Sequence, residues 1–505
     1  MKNSPLGRPV TVISGSLTAH VSWLMFAKTA AFVFNVALPM ILVRRLDQAQ
    51  FGVYKQMFLV IQTSVMVLPL GFAMSAYYFL PREPERRQGT VLNILLCTMA
   101  VGTAACGMLW FWPALLGIIF DQAGLAGYAH VLGIVVLVWI VSQTLEIVPI
   151  ANGETKLASA MIISVQLTRT AIYVAAVLAF GTVRAMIWAA VVQGSLQVGV
   201  LWWYLRSRFG HFWRHADWDL LRRQLAYAIP LGLAGILFTA QTDLHSYFVA
   251  NRLGKVASGI YGIGTLQLPL MGMLMEATNA VVIPRVALLQ QQNDTREIIE
   301  LMARAMRKLA AVYFPVYGVL IVVAQEFIRF LFTQNYLASV PVFRINLTML
   351  LLGIMLPDAL FRAYVEQRFF LIRLRVILFV LLTVGLWIGT TRFGMVGAIS
   401  VVVLIGVAER VVVAIRFGRI LGVRRKDMVL LKDVGKLALA AAAAGLVTAA
   451  ARLALGGAKP LIILMVCGTV FSLIYLGGVL VAGVVTPEEK GMVRRKMAAF
   501  GLLNA

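Results

Sequence analysis

The side chains in this sequence that could do chemistry are charges set inside long apolar runs. Lys28 is followed by Ala31, Phe32, Asn35 and Pro39 at i+3, i+4, i+7 and i+11, nearly one face of a helix. An amide and a proline beside a cation suit the wall of a polar cavity; the other reading is a lysine snorkelling to the interface. Gln166, Arg169, Thr170 and Tyr173 form a second stripe of the same spacing, a cavity wall or an interhelical contact. Arg344, with Asn346 two residues on, is a third cation within a run, or one that snorkels to the outer interface. The most polar stripe is Thr239, Thr242, Asp243 and Ser246. One carboxylate and three hydroxyls on one face can contact a substrate, take up a proton or ligate Na⁺, or they can form an interhelical hydrogen-bond cluster. A charge at the centre of a membrane-spanning helix costs roughly 2.5–3.5 kcal/mol on insertion scales, so it normally faces a cavity or a partner. Glu276, Asp358, Glu409 and Arg410 fall near the ends of their runs and read as structural.

Enzyme chemistry finds no support. There is no phosphate-binding glycine loop, no nucleophile elbow and no His/Cys cluster. His20, His130, His211, His215 and His245 are scattered and read as interface or loop residues. Cys97, Cys106 and Cys467 lie in apolar runs, with neither a disulfide pattern nor metal-ligand spacing. The chain is therefore read as no enzyme, with no cofactor beyond a coupling H⁺ or Na⁺.

The elements that position these residues follow from composition. Of 505 residues, 61% are hydrophobic and 13% charged, and the mean hydropathy is +0.87. A soluble domain carries about 25% charged residues. So little charge cannot clothe a water-facing surface, and lipid is the implied solvent. Spans of about 20 apolar residues are expected near 17–43, 53–80, 90–119, 125–149, 157–180, 185–205, 224–250, 257–284, 305–331, 338–361, 372–391, 394–417, 433–454 and 459–485. The net charge of +24 is read as topology, not as nucleic-acid binding. Most Lys and Arg residues gather in alternate connections, from Lys2 and Arg8 through Arg206–Arg223 to the Arg494–Lys496 tail. By the positive-inside rule both termini are then cytoplasmic.

An internal repeat organises the spans. Arg45–Tyr54 aligns without a gap on Arg252–Tyr261, matching Arg, Leu, Gly and Tyr. Phe180–Ala185 aligns on Phe393–Ala398, matching Phe, Gly, Val and Ala. Both pairs lie in equivalent connections and are separated by nearly the same distance along the chain. The expectation is an all-α polytopic membrane protein of about fourteen spans, with two pseudo-symmetric six-helix lobes and two C-terminal helices. The corresponding segments are 1–215, 216–425 and 426–505.

At these residues the chain resembles the polysaccharide transporter, or oligosaccharide flippase, family of the multidrug/oligosaccharidyl-lipid/polysaccharide exporter superfamily. The Arg45–Tyr54 stretch is similar to the family's linker after its first helix. It departs from that linker in carrying Asp47 and Gln48 for glycine and proline, and Ala49 and Gln50 for two acids. Arg252–Gly254 with Gly259–Tyr261 resembles the linker after the seventh helix, and Phe393–Ala398 the glycine-rich turn before the twelfth. The resemblance spans roughly residues 10–420 and implies lobes facing a central cavity. It also implies a polyprenyl-diphosphate-linked oligosaccharide substrate, an O-antigen (lipopolysaccharide) or exopolysaccharide repeat unit, moved across the bacterial inner membrane by alternating access. Lys28, Asn35, Arg169 and Arg344 would then contact substrate, and Asp243 with Thr239, Thr242 and Ser246 the coupling ion. A polysaccharide polymerase and chain-length proteins are the implied partners. Within the superfamily, a lipid II flippase or a multidrug cation antiporter is the alternative; Asp243 as the single trusted mid-span carboxylate counts against the antiporter. A membrane-embedded glycosyl polymerase or transferase should show a large outward loop, and the outward loops here are short. A purely structural assembly partner is the remaining reading.

Overall fold

A computed structural model describes residues 37–484. Among these residues every regular element is helical. Residues 37–45 are already helical. From there run α1 (Gln48–Val67), α2 (Ala76–Arg82), α3 (Arg87–Phe111), α4 (Ala114–Phe120), α5 (Ala129–Ser142), α6 (Thr144–Ala151), α7 (Thr155–Phe180), α8 (Val183–Phe209) and α9 (Trp218–Arg252). They are followed by α10 (Gly254–Gly264), α11 (Pro269–Gln291), α12 (Thr295–Val322), α13 (Ala324–Phe332), α14 (Val340–Leu352), α15 (Pro357–Ala363), α16 (Arg368–Leu421), α17 (Lys432–Ala454) and α18 (Pro460–Val481). Helices dominate because a backbone in hydrocarbon must satisfy its own N–H and C=O groups.

Eleven helical segments among the described residues are long and apolar enough to cross a membrane, or up to twelve if the bent pair Trp218–Pro230 and Gly235–Arg252 counts as one span. The described residues therefore do not themselves give the expected count of about fourteen. Most of the first expected span, with Lys28 and Asn35, lies outside them. Several expected spans are interrupted. The breaks after α1, α3, α10 and α14 fall at or just before Pro69, Pro113, Pro269 and Pro357, where proline lacks the N–H that would continue a helix. Conversely, helical hydrogen bonding in α16 continues across 54 residues. At 1.5 Å per residue that is about 80 Å, more than twice the hydrocarbon thickness. Gly394, with φ 58° and ψ −138°, breaks it, and the expected spans 372–391 and 394–417 fold back on each other there. Gly389 and Gly397 meet backbone to backbone across this hairpin, and a Cβ at Gly385 would lie 2.8 Å from Val401.

The chain divides into two compact units. Among the described residues the first holds 37–45, 60–117 and 123–239, and the second 46–59, 118–122 and 240–484. The first unit is built on a core that includes Phe72, Leu80, Ile94, Leu145, Tyr204 and Phe212. Its polar connections are tied by ion pairs. Arg223 donates to both carboxylate oxygens of Glu83, at 2.7 and 3.0 Å, and Arg86 pairs with Asp217 at 3.5 Å. The second unit packs α17 and α18 against α12, where Gly318 makes room for the Phe471 ring. Arg452 of α17 pairs with Glu326 of α13 at 2.9 Å.

In the second unit the two copies of the first repeated motif touch. Gly52 of α1 lies against the carbonyl of Lys255, so tightly that a Cβ would sit inside the oxygen's van der Waals shell. Gly259 of α10 lies against α1 in turn; its Cβ would be 3.1 Å from the Gly52 nitrogen and 3.2 Å from the Gln48 oxygen. Gly52 and Gly259 are equivalent in the alignment, as are Gln48 and Lys255. The contact is thus self-complementary, as two-fold-related surfaces require. Gly52→Ala should destabilise the purified protein by about 2–3 kcal/mol, the cost of overpacking. Gly435→Ala, at a helical site with no neighbour within 4 Å, should leave it unchanged or slightly firmer. Thermal unfolding in detergent measures both, and equal behaviour of the two variants would refute the close crossing.

Candidate functional site

Polar residues from neighbouring helices of the second unit meet at one turn of α10. Tyr261 donates to, or accepts from, the His245 ring of α9, 2.9 Å from Nδ1, and the two rings meet edge to face. Ser246 Oγ lies 3.3 Å from the same nitrogen. Gly262 is crossed by the stem of Lys55 from α1; a Cβ there would be 2.7 Å from Lys55 Cε. Gly264 faces Val342 of α14, and a Cβ would be 2.6 Å from its side chain. Three helices, α9, α1 and α14, thus meet at three residues of α10, Tyr261, Gly262 and Gly264. An apolar cluster containing Val249, Tyr261, Val342, Leu386 and Ala398 closes around them.

The predicted stripe on α9 is placed as follows. Thr239 is buried, Asp243 and Ser246 are half-buried, and Thr242 is exposed. A neighbouring side chain, Gln241, donates to the Arg375 carbonyl at 2.7 Å. Arg344 of α14 is half-buried, and its Nε is enclosed with no hydrogen-bond partner among the described residues. Asn346 donates to the Leu266 carbonyl, anchoring α14 beyond the end of α10.

Arg169 belongs to the first unit. Its guanidinium lies 4.8 Å from the Trp139 ring centroid and 5.8 Å from that of Tyr173. Trp139 is held in place by its own bond from Nε1 to the Ala190 carbonyl, 3.0 Å. Nε of Arg169 and Oγ1 of Thr170 are buried with no hydrogen-bond partner among the described residues. Arg169 is thus half-buried, with its Nε enclosed, and part of an aromatic contact between α5 and α7, while Gln166 on the same face is buried. Arg169, Arg344 and the α9 residues are each carried by a different helix, and Lys28 and Asn35 lie outside the described residues.

Two residues escaped the sequence reading. Lys55 lies seven residues inside α1, too close to its start to register as a mid-span charge. Its ammonium has no ion pair among the described residues, and the Phe51 ring is 6.0 Å away. His245 sits directly beside the Asp243 stripe, yet a single histidine carries no spacing signal; only its one-residue offset from Ser246 pointed there. Among the described residues no group of three or more His, Cys, Asp or Glu could hold a metal ion.

The family profile for "polysaccharide biosynthesis protein" matches residues 41–341. The chain belongs to this family. Its fold is that of the superfamily expected from the sequence. A structure of the lipid II flippase MurJ in an inward closed conformation is similar, with a TM-score of 0.70 at 13% identity, covering 90% of this chain and 98% of that one. A multidrug resistance MATE family transporter is similar in an inward-facing structure, with a TM-score of 0.61, 15% identity and coverage of 80% and 96%. An outward-facing structure gives a TM-score of 0.56, 15% identity and coverage of 82% and 96%. At these identities the likeness is one of fold. No curated protein sequence matches the chain.

The aromatic setting of Arg169 makes a prediction. Lysine keeps the charge but loses the flat face that stacks on indole, and a desolvated cation–π contact contributes up to about 2 kcal/mol. Arg169→Lys should therefore lower stability in detergent by about 1–2 kcal/mol. Arg344→Lys, which removes no such contact, should stay within about 0.5 kcal/mol of the parent. An Arg169→Lys protein as stable as the parent would show that the aromatic contacts contribute nothing.

Proposed function

We propose that this protein translocates a polyprenyl-diphosphate-linked oligosaccharide, an O-antigen or exopolysaccharide repeat unit, across the bacterial inner membrane by alternating access. The observation that carries the reading is the family match over residues 41–341; the transporter fold supports it. The physical problem is the headgroup. Each polar group moved into hydrocarbon without a partner costs roughly 2–7 kcal/mol, and an oligosaccharide diphosphate has many. Cations offset the anionic part through charge-assisted hydrogen bonds. Lys28, Asn35, Arg169 and Arg344 are assigned to that contact. The enclosed Nε atoms of Arg169 and Arg344 lack acceptors among the described residues, which an anion would supply. Asp243, with Thr239, Thr242 and Ser246, is assigned to a coupling H⁺ or Na⁺. The protein acts with both termini in the cytoplasm, beside a polysaccharide polymerase and chain-length proteins, and catalyses no covalent step.

A second reading is transport of lipid II, favoured by the TM-score of 0.70 to a lipid II flippase. Both substrates are polyprenyl diphosphates and differ in the sugar. Two strains separate them, one lacking its oligosaccharide flippase and one depleted of its lipid II flippase. The protein should restore surface polysaccharide in the first and leave the second inviable. Arg344→Gln should reduce that restoration about tenfold, as loss of a charged hydrogen bond implies. Asp243→Asn should insert normally but lose its response to an imposed ion gradient. Rescue of the second strain alone would replace the proposal by the lipid II reading.

A further inference from the structure

The segment that follows α8 builds a surface that the transport reading does not use. Gly210, at φ 58°, turns the chain at the end of α8. Phe209 and Phe212 are then pressed into the core of the first unit, at 5% and 1% exposure. With these two pegs seated, Trp213 is held outside. Its ring stacks on Trp202, centroids 5.8 Å apart and planes 14° from parallel. The Arg206 guanidinium lies 5.8 Å from the Trp213 centroid, and the His211 ring meets it edge-on at 5.2 Å. Trp202, Trp213, Arg206, His211 and Arg214 are all exposed.

The charges here do not cancel. Asp217 and Asp219 are engaged by Arg86, and Arg223 is held by Glu83. Arg208 pairs with Glu154 at 3.0 Å. Among the described residues Arg206 and Arg214 have no acidic partner. Two uncompensated guanidinium groups therefore stand beside a rigid, exposed indole pair at the end of a segment long and apolar enough to span the bilayer. Indoles favour the headgroup layer, and guanidinium binds phosphate oxygens through paired N–H donors.

We propose that this patch is a docking site for the phosphate of an anionic phospholipid of the surrounding bilayer. Arg206 and Arg214 hold the phosphate, and the Trp202–Trp213 pair seats the glycerol and upper acyl region. The inference goes beyond the transport reading and stands apart from it, because lipid binding is measured without translocation.

Native mass spectrometry of the full-length protein in detergent, titrated with phosphatidylglycerol and with phosphatidylethanolamine, tests the site. The parent protein should bind phosphatidylglycerol more tightly. R206Q/R214Q should weaken that binding about 25-fold, from about fivefold for each basic residue near an anionic surface. W213L should weaken it while keeping the charge. R425Q/K426Q, which removes two charges from another exposed loop, should bind like the parent. Equal losses in R206Q/R214Q and R425Q/K426Q would mean that net charge and no particular site binds the lipid. Equal affinity of the parent for both lipids would overturn the proposal and leave the patch to an acidic protein partner.

Discussion

Backbone packed directly on backbone at Gly52 and Gly259 sets the spacing on which the polar centre of the second unit depends. Lipid tails are as apolar as side chains, so helices in a membrane gain little from hiding hydrophobic surface. They associate by close packing of small residues instead. Because α1 and α10 approach this closely, the stem of Lys55 crosses Gly262. On the same turn Tyr261 reaches His245 of α9, and Gly264 receives Val342 of α14. A single methyl at Gly52 would push α1 off the turn that three helices share. The reciprocity of the contact follows from duplication: the same glycine in two copies of one motif can only meet its counterpart about a two-fold relation.

The charges of the described residues sort into two sets. Several of those in connections or near helix ends are matched: Arg223 with Glu83, Arg86 with Asp217, Arg208 with Glu154, Arg452 with Glu326; Arg206 and Arg214, at the lipid-facing patch, are not. Lys55, Arg169 and Arg344 lie within helices and have no carboxylate partner among the described residues; Arg169 has aromatic faces instead. Even a buried pair needs good geometry merely to break even against its desolvation, so a fold has little reason to keep half-buried cations unmatched for stability. Cations inside helices without a carboxylate partner leave donors that an anionic cargo can use.

Much of the fold was legible because hydropathy and charge alternation act on whole segments. The turn at Phe393–Ala398 was read as a linker, and Gly394 breaks α16 there. The repeat was visible at Arg45–Tyr54 and Arg252–Tyr261, but sequence cannot show that equivalent glycines touch each other. Proline breaks inside expected spans were foreseeable at Pro113 and Pro269, yet hydropathy averages over them. The site was less legible. Arg169 stood out as a cation within an apolar run, whereas its partner Trp139 sits on another helix with no spacing relation to it. His245 was passed over as one of five isolated histidines, and Lys55 as a residue near the end of a span. Spacing reports which residues share a face of one helix; it carries no information on which helix that face meets.

The central claim is translocation of a lipid-linked saccharide, and the most direct measurement is its movement across a bilayer made from defined lipids. Purified protein is reconstituted with a fluorescent polyprenyl-diphosphate oligosaccharide in both leaflets, and a membrane-impermeant reductant quenches the label outside. The account predicts that vesicles with protein lose the inner-leaflet signal as well, and that a phospholipid bearing the same label keeps its inner-leaflet signal. Inner-leaflet signal retained as in protein-free vesicles, under an imposed H⁺ or Na⁺ gradient of either direction, would contradict it.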